Sequence, residues 1–296
     1  MNKATGVGFL AILMWSLLAT LTAFSGKVPS LLLTSMTFLI GTIPGVVIWI
    51  KHPQTLKDLK QPLIVWVVGI GGLFGYHFLY FTALRNAPPV DAALINYLWP
   101  LLIVLGSALM PGEKLRWFHV LGALLGFSGM VLVIAGKGGG FVIDEKNMFG
   151  YLVALGSAFA WAAYSLLSRR LAKVPTTVVA AFCLVTSILA FLCHFIFSEP
   201  FILPETGGQW LSVLLLGLFP VGLAFYCWDF GVKKGNIQLL GVASYSAPLL
   251  STLIMVATGL AEPSWRLLAA CLLITGGAVL ASKNLIFKSK LQSIPE

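Results

Sequence analysis

The chain has 296 residues, of which 58% are hydrophobic and 10% are charged, and its mean hydropathy is +0.95. Soluble domains carry about 25% charged residues, so this composition excludes an ordinary soluble enzyme or binding module and indicates a polytopic membrane protein. The formal net charge of +9 does not indicate nucleic-acid binding, because the Lys and Arg residues lie in short loops between apolar stretches.

Ten apolar stretches follow one another along the chain, and each is long enough to cross a bilayer core, which takes about 20 helical residues. The first stretch follows Lys3, as in a signal peptide, but its length and the spans directly after it favour an uncleaved transmembrane helix. The predicted spans are 4–24, 30–50, 62–84, 89–110, 116–136, 148–169, 174–197, 208–232, 237–259 and 264–286.

The basic residues predict the orientation of these spans. Loops on the side of the N-terminus hold 14 of the 19 Lys and Arg residues, and the opposite loops hold 5. The positive-inside rule therefore places both termini in the cytoplasm, which requires an even number of spans. The 14 are Lys3, Lys51, Lys57, Lys60, Lys114, Arg116, Arg169, Arg170, Lys173, Lys233, Lys234, Lys283, Lys288 and Lys290, and the 5 are Lys27, Arg85, Lys137, Lys146 and Arg266.

The second half of the chain repeats the first at an offset of 146 to 148 residues. Each copy contains five predicted spans, an odd number, so the second copy enters the membrane from the opposite face and the copies are inverted. We therefore predict an all-α polytopic membrane protein with ten transmembrane helices, built as two inverted five-helix repeats (1–140 and 147–290) around a central cavity. The repeated pairs are Trp15 and Trp161, Pro29 and Pro175, Tyr97 and Tyr245, Pro100 and Pro248, Trp117 and Trp265, and Gly129 and Gly277.

Two of the repeated prolines lie inside spans. Pro100 and Pro248 are each 11 residues into their spans, which at 1.5 Å per residue places both near the bilayer centre. A proline inside a helix frees the carbonyl four residues earlier, and here those residues, Asn96 and Ser244, also carry polar side chains. We expect the two polar positions to face each other at a binding site; the less favoured alternative is that neighbouring helices or Ser/Thr side chains satisfy them, as in many kinked helices.

Aromatic and polar side chains near these breaks complete the predicted site. Tyr97 and Tyr245 follow Asn96 and Ser244, Trp99 precedes Pro100, His77 and Tyr80 share a helix face, and Trp161 lies beside a stripe of serines. An uncharged cavity of this kind suits a small zwitterion, whose ammonium group can lie against aromatic faces or freed carbonyls. For any single aromatic residue, ordinary packing within the bundle is an equally good explanation.

Several kinds of chemistry are absent from the centres of the spans. No Lys, Arg, Asp or Glu lies there, and Asp229 is expected to form a local ion pair with Lys233. His77 is the deepest ionisable side chain; it could titrate during transport, but a neutral, hydrogen-bonded histidine is the favoured interpretation. The four cysteines lack metal-type spacing, and there is no nucleophile–base pair or phosphate-binding loop. We predict no enzyme activity, no metal and no cofactor.

The span arrangement, with a proline in the fourth helix of each repeat, resembles the drug/metabolite transporter superfamily with EamA-type repeats. ALRNAPPVDAALINYLWPLLIVLGSALMPGEKL, and INYLWP in particular, is similar to the YddG-type aromatic amino acid exporters. The resemblance implies a multi-pass protein of the cell inner membrane that exports aromatic and some other neutral amino acids by alternating access. It also implies binding roles for Asn96, Tyr97 and Trp99 and hinge roles for Pro100 and Pro248.

Two alternatives stay open at this point. The chain could export another small amphipathic metabolite or a drug, or it could be a membrane enzyme or accessory subunit, which the lack of a catalytic constellation disfavours. The expected partners are an amino acid substrate and the lipid bilayer, without nucleic acid, and a monomer is the simplest assembly.

Overall fold

The computed structural model describes residues 3–110, 112–135, 144–257, 262 and 264–283. Within these residues all regular elements are helices, and nine helical spans have the length and hydropathy to cross a membrane. A tenth apolar helix, Trp265–Ala281, has 17 residues, or about 26 Å of helix. The nine are Lys3–Phe24, Ser30–Lys51, Leu63–Asn86, Pro89–Leu109, Trp117–Ile134, Glu145–Arg170, Thr176–Ile196, Gly207–Lys234 and Ile237–Ile254. With Trp265–Ala281 they are spans 1 to 10, which confirms the all-helical membrane fold.

The third span of each repeat contains a π-helical turn at the equivalent place. Gly71–Gly75 interrupts span 3, and Phe219–Leu223 interrupts span 8, 148 residues later. Such turns free backbone groups and are frequent at functional sites. The inverted repeat is thus visible in the irregularities of the backbone as well as in the sequence.

The fourth span of each repeat is broken into two half-helices. Span 4 consists of Pro89–Asn96 and Trp99–Gly106, and span 9 consists of Ile237–Ala243 and Ser246–Ala257. Pro100 and Pro248 therefore lie in the first turn of a half-helix, where a backbone N–H has no helical partner. The prediction of a proline kink inside a continuous helix was wrong in this detail, because each helix ends before its proline and restarts.

The spans associate in pairs related by the inverted repeat. Span 2 packs on span 7 and span 5 on span 10, while span 1 packs on span 8 and span 3 on span 6. Gly122 allows one close approach, since a Cβ there would lie 2.6 Å from the Gly277 carbonyl. By contrast, a Cβ at Gly71 or Gly75 would meet nothing within 4 Å, so these two glycines, whose spacing suggests helix packing, do not serve it here.

The ends of the spans meet in two groups, one at each membrane face. At the basic face, which carries Lys3, the Thr177 hydroxyl donates to Asp58 and Arg169 pairs with Glu113. At the opposite face, called here the far face, Arg85 pairs with Glu199. These contacts identify which ends of the spans lie together.

Candidate functional site

Four tryptophans from four different spans form the centre of the bundle. Trp15, Trp99, Trp161 and Trp228 all contact one another, with ring centroids 5.0 to 6.3 Å apart. Trp99, Trp161 and Trp228 are at most 5% exposed. Aromatic pairs at such separations stabilise beyond the burial of their area, so this tryptophan cluster is a rigid layer across the bundle.

A cavity of about 130 Å³ lies on the far-face side of the tryptophan cluster, lined by six spans. Its size suits a small solute rather than the drug-sized ligands that fill pockets of about 300 Å³ or more. The lining residues that are partly exposed lie on the far-face side of the tryptophan cluster, whereas Trp99 and Trp161 are at most 5% exposed; the partly exposed ones include Leu18, Tyr76, His77, Tyr80 and Tyr97. The cavity therefore opens at the far face and is closed by the tryptophan cluster towards the basic face.

The half-helices of spans 4 and 9 are consistent with this opening. The halves nearer the basic face, Trp99–Gly106 and Ile237–Ala243, pack against each other. The halves nearer the far face do not pack against each other in this way, since Pro89–Asn96 packs chiefly on span 6 and Ser246–Ala257 chiefly on span 5, which both halves contact. The breaks thus occur where the two spans diverge around the cavity.

Asn96 lies buried at the cavity wall in a polar network. Its side-chain amide donates to the Tyr76 hydroxyl at 3.2 Å and accepts from the Ser157 hydroxyl at 2.8 Å. The network joins spans 3, 4 and 6. Because both polar atoms of the amide have a partner, the burial cost of Asn96 is offset, and the orientation of the Tyr76 hydroxyl at the cavity is set.

His77 presents one ring nitrogen to the cavity. Its Nδ1 lies 2.7 Å from the backbone carbonyl of Leu73, in the π-helical turn of span 3. A carbonyl can only accept, so Nδ1 carries the hydrogen, and in the neutral imidazole Nε2 is an acceptor. The π-helical turn thereby selects the His77 tautomer that offers an acceptor to a ligand.

The indole N–H groups of the tryptophan cluster differ in whether they have a hydrogen-bond acceptor. The Trp15 N–H donates to the Pro220 carbonyl at 3.1 Å, and the Trp228 N–H donates to the Ser165 hydroxyl at 3.0 Å. No described residue accepts from Trp99 or Trp161, and both line the cavity. These two N–H groups are donors available to a ligand.

The structure brings most of the predicted residues together, but not all of them. Ser244 and Tyr245 do not line the cavity: the Ser244 hydroxyl donates back to the Leu240 carbonyl, and Tyr245 packs against Phe127 of span 5. Asn96 and Ser244 therefore do not form a facing pair, because the two copies differ in conformation on either side of the opening. The predicted residues that do line the cavity are His77, Tyr80, Asn96, Tyr97, Trp99 and Trp161.

Sequence reasoning missed Trp228 of the tryptophan cluster and seven residues that line the cavity, which are Trp15, Leu18, Tyr76, Pro220, Val221, Phe225 and Ala247. The repeat offset contained the signal for two of them, because Phe225 and Trp228 lie 148 residues after His77 and Tyr80. The rings of His77 and Phe225 meet edge to face at 6.0 Å. Trp15 appeared as the partner of Trp161, and Tyr76 is adjacent to His77 in sequence.

No charged residue contributes to the lining of this cavity, as far as the chain is described. Aromatic faces, one imidazole acceptor, tyrosine hydroxyls and two indole donors provide its recognition groups. A bundle with inverted repeats, and with broken helices around a cavity near the middle of the spans, has the architecture of a secondary transporter.

The chain belongs to the EamA-like transporter family, whose model matches residues 3–135 and 148–283. It is 53% identical to a protein of Ancylobacter novellus named aromatic amino acid exporter YddG, over 95% of this chain and 97% of that one. It is 25% identical to the protein of the same name in Escherichia coli, over 94% and 96% of the two chains. A solved crystal structure with 52% identity superposes with a TM-score of 0.90, over 95% of this chain and 97% of the other.

These similarities identify the protein as a multi-pass membrane transporter of the exporter type. The family and the named relatives are transporters rather than enzymes, which confirms that part of the sequence analysis.

Proposed function

We propose that this transporter exports aromatic and other neutral amino acids from the cytoplasm by alternating access. The observation that carries the proposal is the uncharged cavity, which is closed by the tryptophan cluster at one side and open at the other. The names of the Ancylobacter and Escherichia relatives support amino acids as the substrate class.

The cavity offers partners for each part of a free amino acid. The α-ammonium group would lie against the faces of Tyr80 and Tyr97 and donate to the Nε2 atom of His77. The α-carboxylate would accept from the indole N–H groups of Trp99 and Trp161. An apolar or aromatic side chain would contact Phe225 and its neighbours in span 8, which add no charge.

The substrate-binding residues in this proposal include all eight predicted from the sequence, in two roles. His77, Tyr80, Asn96, Tyr97, Trp99 and Trp161 bind in the conformation described here. Ser244 and Tyr245 would approach the substrate only in the conformation that opens at the basic face, in which the copies exchange arrangements. Pro100 and Pro248, at the starts of half-helices, would be the hinges of that exchange.

The orientation follows from the charges. With 14 of 19 basic residues on the Lys3 side, the basic face is the cytoplasmic face and both termini are cytoplasmic. The far face, at which the cavity opens, then faces away from the cytoplasm. We propose the inner membrane as the location, residues 1–140 and 147–290 as the two repeats, and a monomer as the transporting unit.

Efflux from proteoliposomes tests the proposal. Purified protein is reconstituted, vesicles are loaded with phenylalanine, threonine or methionine, and the initial rate of release is compared with that of protein-free vesicles. The variants Trp99→Ala and Asn96→Ala, which alter the cavity, are expected to lower the rate at least about tenfold. The matched control is Trp265→Ala, because Trp265 is 72% exposed and lies outside the cavity.

The same assay distinguishes amino acids from the alternative substrate class. If the wild-type protein releases none of the three amino acids but exports a non-zwitterionic amphipathic compound or a drug, the substrate assignment is wrong. If amino acid efflux is unchanged in the double variant Trp99→Ala with Asn96→Ala, the site assignment is wrong.

A further inference from the structure

Arg169 joins three segments at the basic face. It lies near the end of span 6, and its guanidinium donates to the carbonyls of Val232, Lys233 and Gly235 at 3.1, 3.2 and 2.6 Å. It also forms an ion pair with Glu113, in the loop between spans 4 and 5. One side chain thereby connects spans 6 and 8 and the loop that leads from span 4.

The backbone carbonyls that accept from Arg169 lack a hydrogen-bond donor within their own helix. The helix Ala224–Lys234 ends there, so its last carbonyls have no helical N–H to accept from and carry partial negative charge. Arg169 is only partly exposed, and its Nη1 atom contacts all three carbonyls while Nη2 pairs with Glu113. The contact therefore depends on spans 6 and 8 being close together at the basic face.

The inverted repeat contains no counterpart of this contact at the far face. At the offset of 146 that relates Trp15 to Trp161, Arg169 corresponds to Ala23. At the offset of 148 that relates the π-helical turns, Val232 and Gly235 correspond to Leu84 and Ala87. Alanine has no side-chain donor, so the end of span 1 cannot hold the end of span 3 in the same way.

We propose that Arg169 is a positioning residue that holds the basic face closed, and that Ala23 leaves the far face without the equivalent contact between spans 1 and 3, since the far-face ion pair of Arg85 with Glu199 joins the end of span 3 to the segment after span 7 instead. The difference biases the transporter towards the conformation in which its cavity opens at the far face. Opening at the basic face requires the guanidinium to leave three carbonyls and Glu113 together. This inference rests on the proposed alternating access but not on the identity of the substrate.

The test measures the labelling of a cysteine placed on the basic-face side of the tryptophan cluster. Ser168 is 4% exposed and lines a small cavity of about 10 Å³ on the basic-face side, beside Asp229 and Lys233. In full-length protein whose four native cysteines are replaced by alanine, Ser168→Cys reacts with a maleimide only when the basic face opens. Leu18→Cys, in the open cavity, reports on the far face.

Arg169→Ala is expected to raise the labelling rate at Ser168→Cys about tenfold, without raising the rate at Leu18→Cys. Tenfold corresponds to about 1.4 kcal/mol, within the worth of one hydrogen bond to a charged group. The matched control is Arg170→Ala, which removes the same charge from the next residue, a more exposed arginine with one backbone contact, to Leu109. Its labelling rate is expected to stay within twofold of the parent.

A reciprocal variant keeps the test decisive if Arg169→Ala does not fold. Ala23→Arg adds the missing guanidinium at the far face, and it is expected to raise labelling at Ser168→Cys and lower it at Leu18→Cys, while Ala23→Leu does neither. The proposal is overturned if Arg169→Ala matches Arg170→Ala, if both reporters gain reactivity together, or if Ala23→Arg matches Ala23→Leu. Labelling requires no substrate, so a wild type that exports no amino acid would refute the proposed substrate and leave this test standing.

Discussion

Trp15 and Trp161, which occupy equivalent positions in the two repeats, meet edge to face with ring centroids 5.8 Å apart. A residue contacts its own equivalent only near the axis that relates the copies, so the pseudo-two-fold axis passes through the tryptophan cluster. The cavity begins on one side of this axis and the closed contact between spans 6 and 8 lies on the other. The asymmetry of the transporter is therefore an asymmetry between two copies of one structural unit.

Trp228 is the fully buried member of the tryptophan cluster, and its replacement by alanine would leave a large void. We expect Trp228→Ala to lower the free energy of unfolding by about 3–5 kcal/mol. Trp228→Phe, which retains most of the ring contacts, should cost less. Thermal unfolding in detergent measures both, and the exposed residue Trp265 provides the control. A Trp228→Ala midpoint equal to that of Trp265→Ala would show that the cluster does not contribute to stability.

The contact between Asn96 and Ser157 is expected to be energetically coupled. Ser157→Ala leaves the buried Oδ1 atom of Asn96 without its 2.8 Å donor, and Asn96→Ala removes the amide that orients Tyr76. A double-mutant cycle on the efflux rate constant should therefore give a coupling of about 0.5 kcal/mol or more. Strict additivity of the two substitutions would mean that the network does not position the cavity wall.

His77 is expected to act through its Nε2 acceptor rather than through its ring surface. His77→Phe preserves the edge-to-face contacts with Phe38 and Phe225 but removes the acceptor, and we expect KM to rise about tenfold while the maximal rate changes less. Phe81→Leu, a change to a neighbouring ring in the same span, serves as the control. If proton-driven exchange is strong and survives in His77→Phe, titration of His77 does not drive the exchange.

Two adjacent glycines in the π-helical turn of span 3 provide a matched pair of variants for testing the packing of this turn. A Cβ at Gly72 would lie 2.4 Å from the Tyr164 side chain, whereas a Cβ at Gly71 would meet nothing within 4 Å. We expect Gly72→Ala to destabilise the protein by about 1–3 kcal/mol through overpacking and Gly71→Ala to be near neutral. Equal unfolding midpoints for the two variants would contradict the packing described here.

Much of the fold follows from local properties of the chain. Span length and hydropathy predict ten helices, because a helix that crosses a bilayer needs a certain number of apolar residues whatever surrounds it. The broken spans 4 and 9 were likewise located correctly through Pro100 and Pro248, although each helix restarts before its proline. The π-helical turns were not predicted, although each contains residues that disfavour a regular α-helix, which are glycines in Gly71–Gly75 and Pro220 in Phe219–Leu223.

The chain by itself determined the membrane class, the inverted repeat and six of the thirteen cavity-lining residues, because composition, periodicity and internal offset are properties of the order of residues. Only the tertiary structure decided that Asn96 lies at the cavity while Ser244 does not, and that Trp228 and Phe225 belong to the site. The sequence relates the two copies as equals, whereas packing places them in different conformations. The physical reason is that a contact such as that of Arg169 with the end of span 8 closes only the face at which it lies, so the two copies cannot have the same conformation.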